Sequence, residues 1–326
     1  MKKIIAILLV LPLLATVLSG CSQADTNKEG KTSIVCTIFP QYDWIRQILG
    51  NQADNFDLTL LLDDRIDLHS YQPSVDDIVK ISSCDLFIYV GGESDEWVED
   101  ALAGATNENM IVISLLEEMG DQAKEEEIIE GMEEEEEEEG DEEGEEEAEY
   151  DEHVWLSLKN TALLCPAIAD ALSSLDSKNA EKYQSNLAAY LDKVAALDGE
   201  YQTAVSAAPI KTLLCGDRFP FRYLVDDYGI SYFAAFPGCS AETEASFETI
   251  VFLAEKVDEY GLNTIIVTES ADQTIAKTIR ANTESKDQQI LVMDALQSVA
   301  ASDIAGGATY LAVMQSNLDV LKEALK

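Results

Sequence analysis

Residues 177–207 read SKNAEKYQSNLAAYLDKVAALDGEYQTAVSA, and Tyr183, Leu187, Tyr190, Leu191, Val194, Leu197 and Tyr201 recur at the three- and four-residue spacing of a helix with one apolar face. The spacing predicts one uninterrupted helix of about 30 residues, roughly 45 Å long at a rise of 1.5 Å per residue. Most helices run only about three turns, so this one reads as a spine between two bodies. On both sides of it the pattern changes to short apolar runs alternating with amphipathic segments.

Upstream, SIVCTIF (33–39), FDLTLLL (56–62), CDLFIYVG (84–91) and MIVISLL (110–116) have strand composition, with helical segments between them. Pro73 and Ser74 open one of those helices, with Asp76 and Asp77 in its first turn, as the helix dipole favours. Downstream, TLLCG, ISYFAAF, NTIIVTES and QQILVMD alternate with PFRYLVDDYG, SFETIVFLAEKVDEYG, TIAKTIRANT and a terminal helix near Tyr310 to Ala324. Strands separated by helices predict parallel sheets covered on both faces. The expected fold is therefore α/β: two Rossmann-like lobes, residues 32–176 and 208–326, joined by one long rigid helix, 177–207. Pro166, inside VWLSLKNTALLCPAIADALSSL, is expected to kink or restart the helix just before that spine.

The first 20 residues carry two lysines, an apolar run and small residues ending at Leu18-Ser19-Gly20-Cys21, the layout of a bacterial secretory signal with a lipobox. Cys21 is then the lipidation site, and 21–31 a tether to the outer face of the membrane. The formal net charge of −42 opposes binding to nucleic acid, whose phosphates require a basic surface. Between Glu125 and Glu152, 20 of 28 residues are Asp or Glu and none is basic, a composition that repels itself and predicts a disordered loop over about 120–150. The remaining chain still carries about twice as many acidic as basic residues, so cations are the natural small partners.

The five cysteines beyond Cys21 show no CxxC spacing and read mostly as small core residues, with no disulfide assigned. The chain has only two histidines, His69 in LHSYQPSVDD and His153 in YDEHVWLSLKN, each preceded by carboxylates. Neutral imidazoles with Asp or Glu beside them form a plausible site for a divalent transition metal. His69, His153, Asp217, Glu269 and Asp294 all fall near strand ends, where open α/β sheets bind their ligands.

Taken in order, HSYQPSVDDI, GGESDEWV, EHVWLSLKN and TESADQTIAKTI, with the long connecting helix, resemble the metal-binding lipoproteins of bacterial zinc and manganese ABC importers across the mature chain. The resemblance places His69 and His153 at the first two metal ligands and Asp294, in VMDALQS, at a C-terminal carboxylate ligand. At the third position this chain carries Arg218, which cannot ligate because guanidinium stays protonated. Asp217, after a one-residue shift, and Glu269 are the two substitutes left open.

The resemblance implies capture of Zn²⁺ outside the cell and delivery to a membrane permease powered by a cytoplasmic ATPase. The long loop before His153 favours the zinc branch, with Mn²⁺ as the alternative cargo. The acidic loop either concentrates cations or acts as a solvated spacer. A zinc hydrolase would also use two histidines and a carboxylate, but the chain has no HExxH; it also lacks a phosphate loop and a DxDxDG calcium loop.

Overall fold

The computed structural model describes residues 30–133, 149–240 and 244–326. The leader, Cys21 and most of the tether lie outside the described residues, as do the centre of the acidic segment, 134–148, and residues 241–243.

The first lobe contains strands β1 (Thr32–Cys36), β2 (Phe56–Leu60), β3 (Leu86–Tyr89) and β4 (Ile111–Ser114) in the order β2-β1-β3-β4, all parallel. Helices α1 (Phe39–Leu49), α2 (Val75–Ser83), α3 (Trp97–Ala103) and α4 (Leu115–Met119) connect or follow them. β1 is shorter than its apolar run suggests: Phe39 already begins α1, with Pro40 in the first turn, where a missing N–H costs nothing. Ser74 caps α2 by accepting from Asp77 N, and Asp77 returns a bond to the Ser74 backbone, so the Pro-Ser start behaves as its sequence predicts.

The second lobe repeats the plan. Strands β5 (Thr212–Arg218), β6 (Ser231–Phe236), β7 (Thr264–Val267) and β8 (Gln289–Val292) lie in the order β6-β5-β7-β8, all parallel. In both sheets the order reverses beside the first strand, and such a switch point leaves a crevice beyond the carboxyl ends of the strands. A register irregularity between Cys215 and Arg218 ends β5, and bulges of this kind re-aim side chains beside binding sites. Gly216 sits within it, where an added Cβ would come 2.7 Å from the Ala276 Cα, so a side chain would drive β5 off the neighbouring helix.

Between the lobes run α5 (Leu158–Leu175) and α6 (Ala180–Ala207), the latter of 28 residues. Pro166 lies inside α5 without ending it. Along α6, Tyr183, Leu187, Tyr190, Val194, Leu197, Tyr201 and Val205 are buried, while Leu191 packs at the margin of the core. The remaining helices are α7 (Arg222–Tyr228), α8 (Phe247–Tyr260), α9 (Thr274–Asn282), α10 (Ala301–Ala305) and α11 (Tyr310–Ala324).

α11 closes the molecule. It follows the second sheet in sequence yet packs on α6 and on α1 of the first lobe. Tyr310 N donates to Asp43 Oδ2 at 2.9 Å, the Tyr310 hydroxyl donates to the Trp155 carbonyl at 2.7 Å, and Tyr201 donates to the Met314 carbonyl at 2.6 Å. One apolar core consequently runs from Ile34 in β1 through α5 and α6 to Leu325, and a smaller one fills the space under α8 and α9.

The centre of the segment expected to be disordered, 120–150, lies outside the described residues, and its described flanks make backbone bonds. Glu125 and Tyr150 form an antiparallel bridge, and Glu126 N donates to the Glu149 carbonyl at 2.8 Å. Glu133 N bonds to the Ala235 carbonyl at 3.0 Å, on the far lobe. The backbone there finds partners that a count of acidic side chains does not reveal. Among the described residues no helix is long and apolar enough to cross a membrane.

Candidate metal centre

His69 sits on a short 3₁₀ turn, Leu68–Ser70, between β2 and α2. Asp67 caps this turn by accepting from His69 N at 3.1 Å, and the buried Leu68 anchors it. The His69 Nδ1 lies 2.8 Å from Ser94 Oγ, while Ser94 N donates to Glu152 Oε1 at 2.8 Å. Glu152 Oε2 is buried without a hydrogen-bond partner, 3.6 Å from His69 Nδ1. Burial pushes the Glu152 carboxyl up to about 7. Burial, then the charges of His153 and Arg218, hold His69 well below the usual imidazole range, so its ring is neutral at physiological pH.

His153 is fully buried at the mouth of α5. Its Nδ1 lies 2.9 Å from Asp151 Oδ1, and the same oxygen takes the His153 backbone N–H at 2.9 Å. A carboxylate against Nδ1 places the ring proton there and leaves the Nε2 lone pair free, the arrangement that orients a metal-binding imidazole. The two Nε2 atoms face each other at 3.2 Å. On a tetrahedral zinc ion with Zn–N of about 2.0–2.1 Å, two nitrogens stand roughly 3.3 Å apart. The pair therefore fits that ion with almost no rearrangement.

Gln297 reaches in from the loop after β8. Its Nε2 lies 3.2 Å from His69 Nε2 and 2.6 Å from His153 Nε2, and Arg218 Nη2 donates to its Oε1 at 3.5 Å. With its oxygen toward the guanidinium, the amide presents N–H groups to the Nε2 atoms of the two imidazoles. Cys239 approaches from the loop after β6. His69, His153 and Cys239 place their donor atoms all within 4.8 Å of one another, and among the described residues they are the group of His, Cys, Asp and Glu that converges in this way.

The sequence places two imidazoles and three carboxylates at strand ends; the structure brings the imidazoles together and gives the carboxylates other partners. Asp217 accepts from the Thr268 N–H at 3.2 Å and from the Thr268 hydroxyl, tying the end of β5 to the end of β7. Glu269 takes Ala295 N at 2.7 Å, Gln297 N at 3.3 Å and the Ser298 hydroxyl at 3.1 Å, and so braces the loop that carries Gln297. Asp294 caps the same loop through Leu296 N at 2.7 Å, and burial, then the neighbouring Glu269 charge, pushes it up to about 6. Arg218 pairs with Asp67 across the lobes. None of the three carboxylates joins the converging donors.

Cys239 and Gln297 are what the sequence reading missed. Spacing alone does not separate Cys239 from the core cysteines; the signal that does is Pro237-Gly238 immediately after a strand, which turns the chain at the ligand-binding edge. A Gln carries no such signal. A cleft of about 410 Å³ opens beside His69 between the strand ends, lined by Asp67, Gly216, Arg218 and the start of α9. A larger space of about 1,320 Å³ beside α3 and the acidic segment lies away from the imidazole pair.

Comparison with known proteins agrees along the whole described chain. The family described as "ZnuA: Zinc-uptake complex component A periplasmic" matches residues 34–324. The zinc-binding lipoprotein AdcA of Streptococcus pneumoniae is 31% identical over 323 residues, which is 99% of this chain and 61% of AdcA, so the chain spans about three fifths of that relative. The high-affinity zinc uptake system protein ZnuA of Bacillus subtilis is 28% identical, with 94% of this chain and 93% of that protein covered. Among solved structures, the Zn(II)-bound ZnuA-like domain of S. pneumoniae AdcA matches with a TM-score of 0.69 at 28% identity, covering 91% of this chain and 99% of that one.

Proposed function

Because the chain belongs to the ZnuA family of zinc-uptake components, we propose that it is the extracytoplasmic solute-binding subunit of an ABC importer, which captures Zn²⁺ on His69 and His153 and hands it to a membrane permease driven by a cytoplasmic ATPase. The observation that carries this reading is the pair of Nε2 atoms 3.2 Å apart, with one Nδ1 held by Ser94 and the other by Asp151. The two Nε2 atoms stand at a spacing suited to one ion.

Zinc is the cargo that a nitrogen-rich pair favours over manganese, which prefers oxygen donors and stands lower in the order of divalent affinities. The names of the relatives, a zinc-binding lipoprotein and a zinc uptake protein, point the same way. Cys21 is the proposed lipid anchor, holding the protein at the outer face of the membrane. The acidic segment before His153 would raise the local cation concentration near the site. Asp217, Glu269 and Asp294 serve this function by fixing the strand ends and the Gln297 loop.

The test is a titration of the metal-stripped protein with Zn²⁺ and Mn²⁺ against a calibrated chelator. One tight zinc equivalent, lost in both His69→Ala and His153→Ala, is the expected result. Manganese preference would assign the alternative cargo, and only weak, multiple sites would remove the two-histidine site altogether.

A further inference from the structure

We propose that Cys239 is the third ligand of this site, binding the ion as a thiolate and biasing it toward zinc over manganese; the proposal rests on the two-histidine reading above. Its sulfur lies within 4.8 Å of one ring nitrogen of each histidine. A tetrahedral ion with Zn–N of about 2.0–2.1 Å and Zn–S of about 2.3 Å sets sulfur and nitrogen roughly 3.6 Å apart. Ligation therefore asks for at most a small approach of the loop after β6.

The loop is built for that approach. Gly238 packs against the His153 ring, and an added Cβ would stand 3.1 Å from His153 Nδ1 and 3.1 Å from the Phe219 carbonyl oxygen, so a side chain would hold the loop away. The Cys239 N–H is held by Glu126 Oε1 at 2.9 Å, which fixes the residue at the end of the acidic segment that leads to His153. The other cysteines of the described chain behave differently. Cys36, Cys84, Cys165 and Cys215 are at most 1% exposed within the apolar core, away from any imidazole.

The competing donors are committed elsewhere. Asp217 holds Thr268, Glu269 and Asp294 hold the 294–298 loop, and Arg218 holds Asp67. On binding, the S–H bond breaks, its electron pair forms the Zn–S bond, and the proton leaves to water, so one proton is released per ion captured. Gln297 must withdraw its amide from the two nitrogens at the same step. A soft thiolate selects zinc and is a poor ligand for manganese, which makes Cys239 a determinant of cargo as well as of affinity.

The experiment uses the metal-stripped full chain with Co²⁺, Zn²⁺ and Mn²⁺ as probes. Co²⁺ should produce a thiolate-to-cobalt charge-transfer band in the near ultraviolet that Cys239→Ser lacks. The same variant should bind Zn²⁺ at least about 100-fold more weakly, beyond the loss typical of an outer-shell partner, while its Mn²⁺ binding changes little. A second readout needs no variant: Zn²⁺ should protect Cys239 from alkylation in the wild-type protein, scored by mass spectrometry. A tight cobalt complex without the band, or unprotected Cys239 at saturating Zn²⁺, would overturn the thiolate and leave the histidine pair standing. A wild-type protein with no tight site, or one unaffected by His153→Ala, would overturn both.

Discussion

The Trp155 indole N–H donates to the Ala295 carbonyl at 2.8 Å, joining the turn that carries His153 to the loop that carries Gln297. Both residues are fully buried, and they belong to opposite lobes. Between these two segments the Gln297 Nε2 stands 2.6 Å from His153 Nε2. Trp155→Phe keeps most of the packing but leaves the Ala295 carbonyl without its partner. The expected cost is about 1–3 kcal/mol of stability, read by urea unfolding, together with weaker zinc binding in the chelator titration. Unchanged zinc binding in a destabilised variant would mean that the bond serves the fold alone.

Asp151 is expected to act through the tautomer of His153. Its Oδ1 receives both the backbone N–H and Nδ1 of that residue. Asp151→Asn keeps the shape and an acceptor oxygen but removes the charge that makes the ring nitrogen a better donor to a metal. A 10- to 100-fold loss of zinc affinity is expected, by analogy with other partners behind metal-bound histidines. Nitrogen NMR of the two rings checks the cause, since the Nδ1 proton of His153 should become less populated in the variant.

Much of this molecule is legible in its sequence because periodicity reports burial. The Tyr-Leu-Tyr stripe of residues 183–201 and the alternating apolar runs on either side lead directly to α6 and the two parallel sheets. Strand ends also predict where the site lies, and the only two histidines meet there. What the sequence conceals is which polar residues turn inward at the last step. Asp294, Asp217 and Glu269 are acids at strand ends, but backbone N–H groups and hydroxyls at those ends claim them first. Cys239 and Gln297 gain their positions from loop geometry, through Gly238 and through the carboxylate brace of Glu269. Packing of the acidic flanks on the second lobe is likewise a tertiary matter that composition cannot reveal.

Asp95 is expected to set a pH dependence of stability. Its Oδ2 accepts from Val90 N at 2.8 Å and Gly91 N at 3.0 Å, its Oδ1 is buried without a partner, and burial pushes its carboxyl up to about 6. The folded state therefore keeps a proton that the unfolded chain releases near the ordinary value of 3.8. This group's contribution is fully present below that value, declines as pH rises toward 6, and is constant above it. Asp95→Asn retains an acceptor for the two N–H groups and removes the buried charge. The variant should exceed the wild type by about 1–3 kcal/mol at pH 7 and lose most of that advantage at pH 4. Urea unfolding at both pH values checks it; an equal difference at the two would exclude Asp95 as the titrating group.

Zinc capture is expected to move loops and not lobes. The 28-residue α6 buries one face along most of its length, and α11 ties the second lobe to α1 and α6 through Tyr310 and Tyr201. Opening these contacts would expose fully buried aromatic side chains, each worth about 1.5–3 kcal/mol in apolar burial. Loss of the Gln297 contacts to His69 and His153 costs only hydrogen bonds that the ion replaces with stronger ones. Hydrogen exchange with and without Zn²⁺ should therefore differ at residues 294–299 and at the 68–70 turn and stay nearly constant along α6. Small-angle scattering should give the same radius of gyration in both states. A zinc-dependent change in that radius, with exchange altered along α6, would show instead that the lobes rotate about the spine.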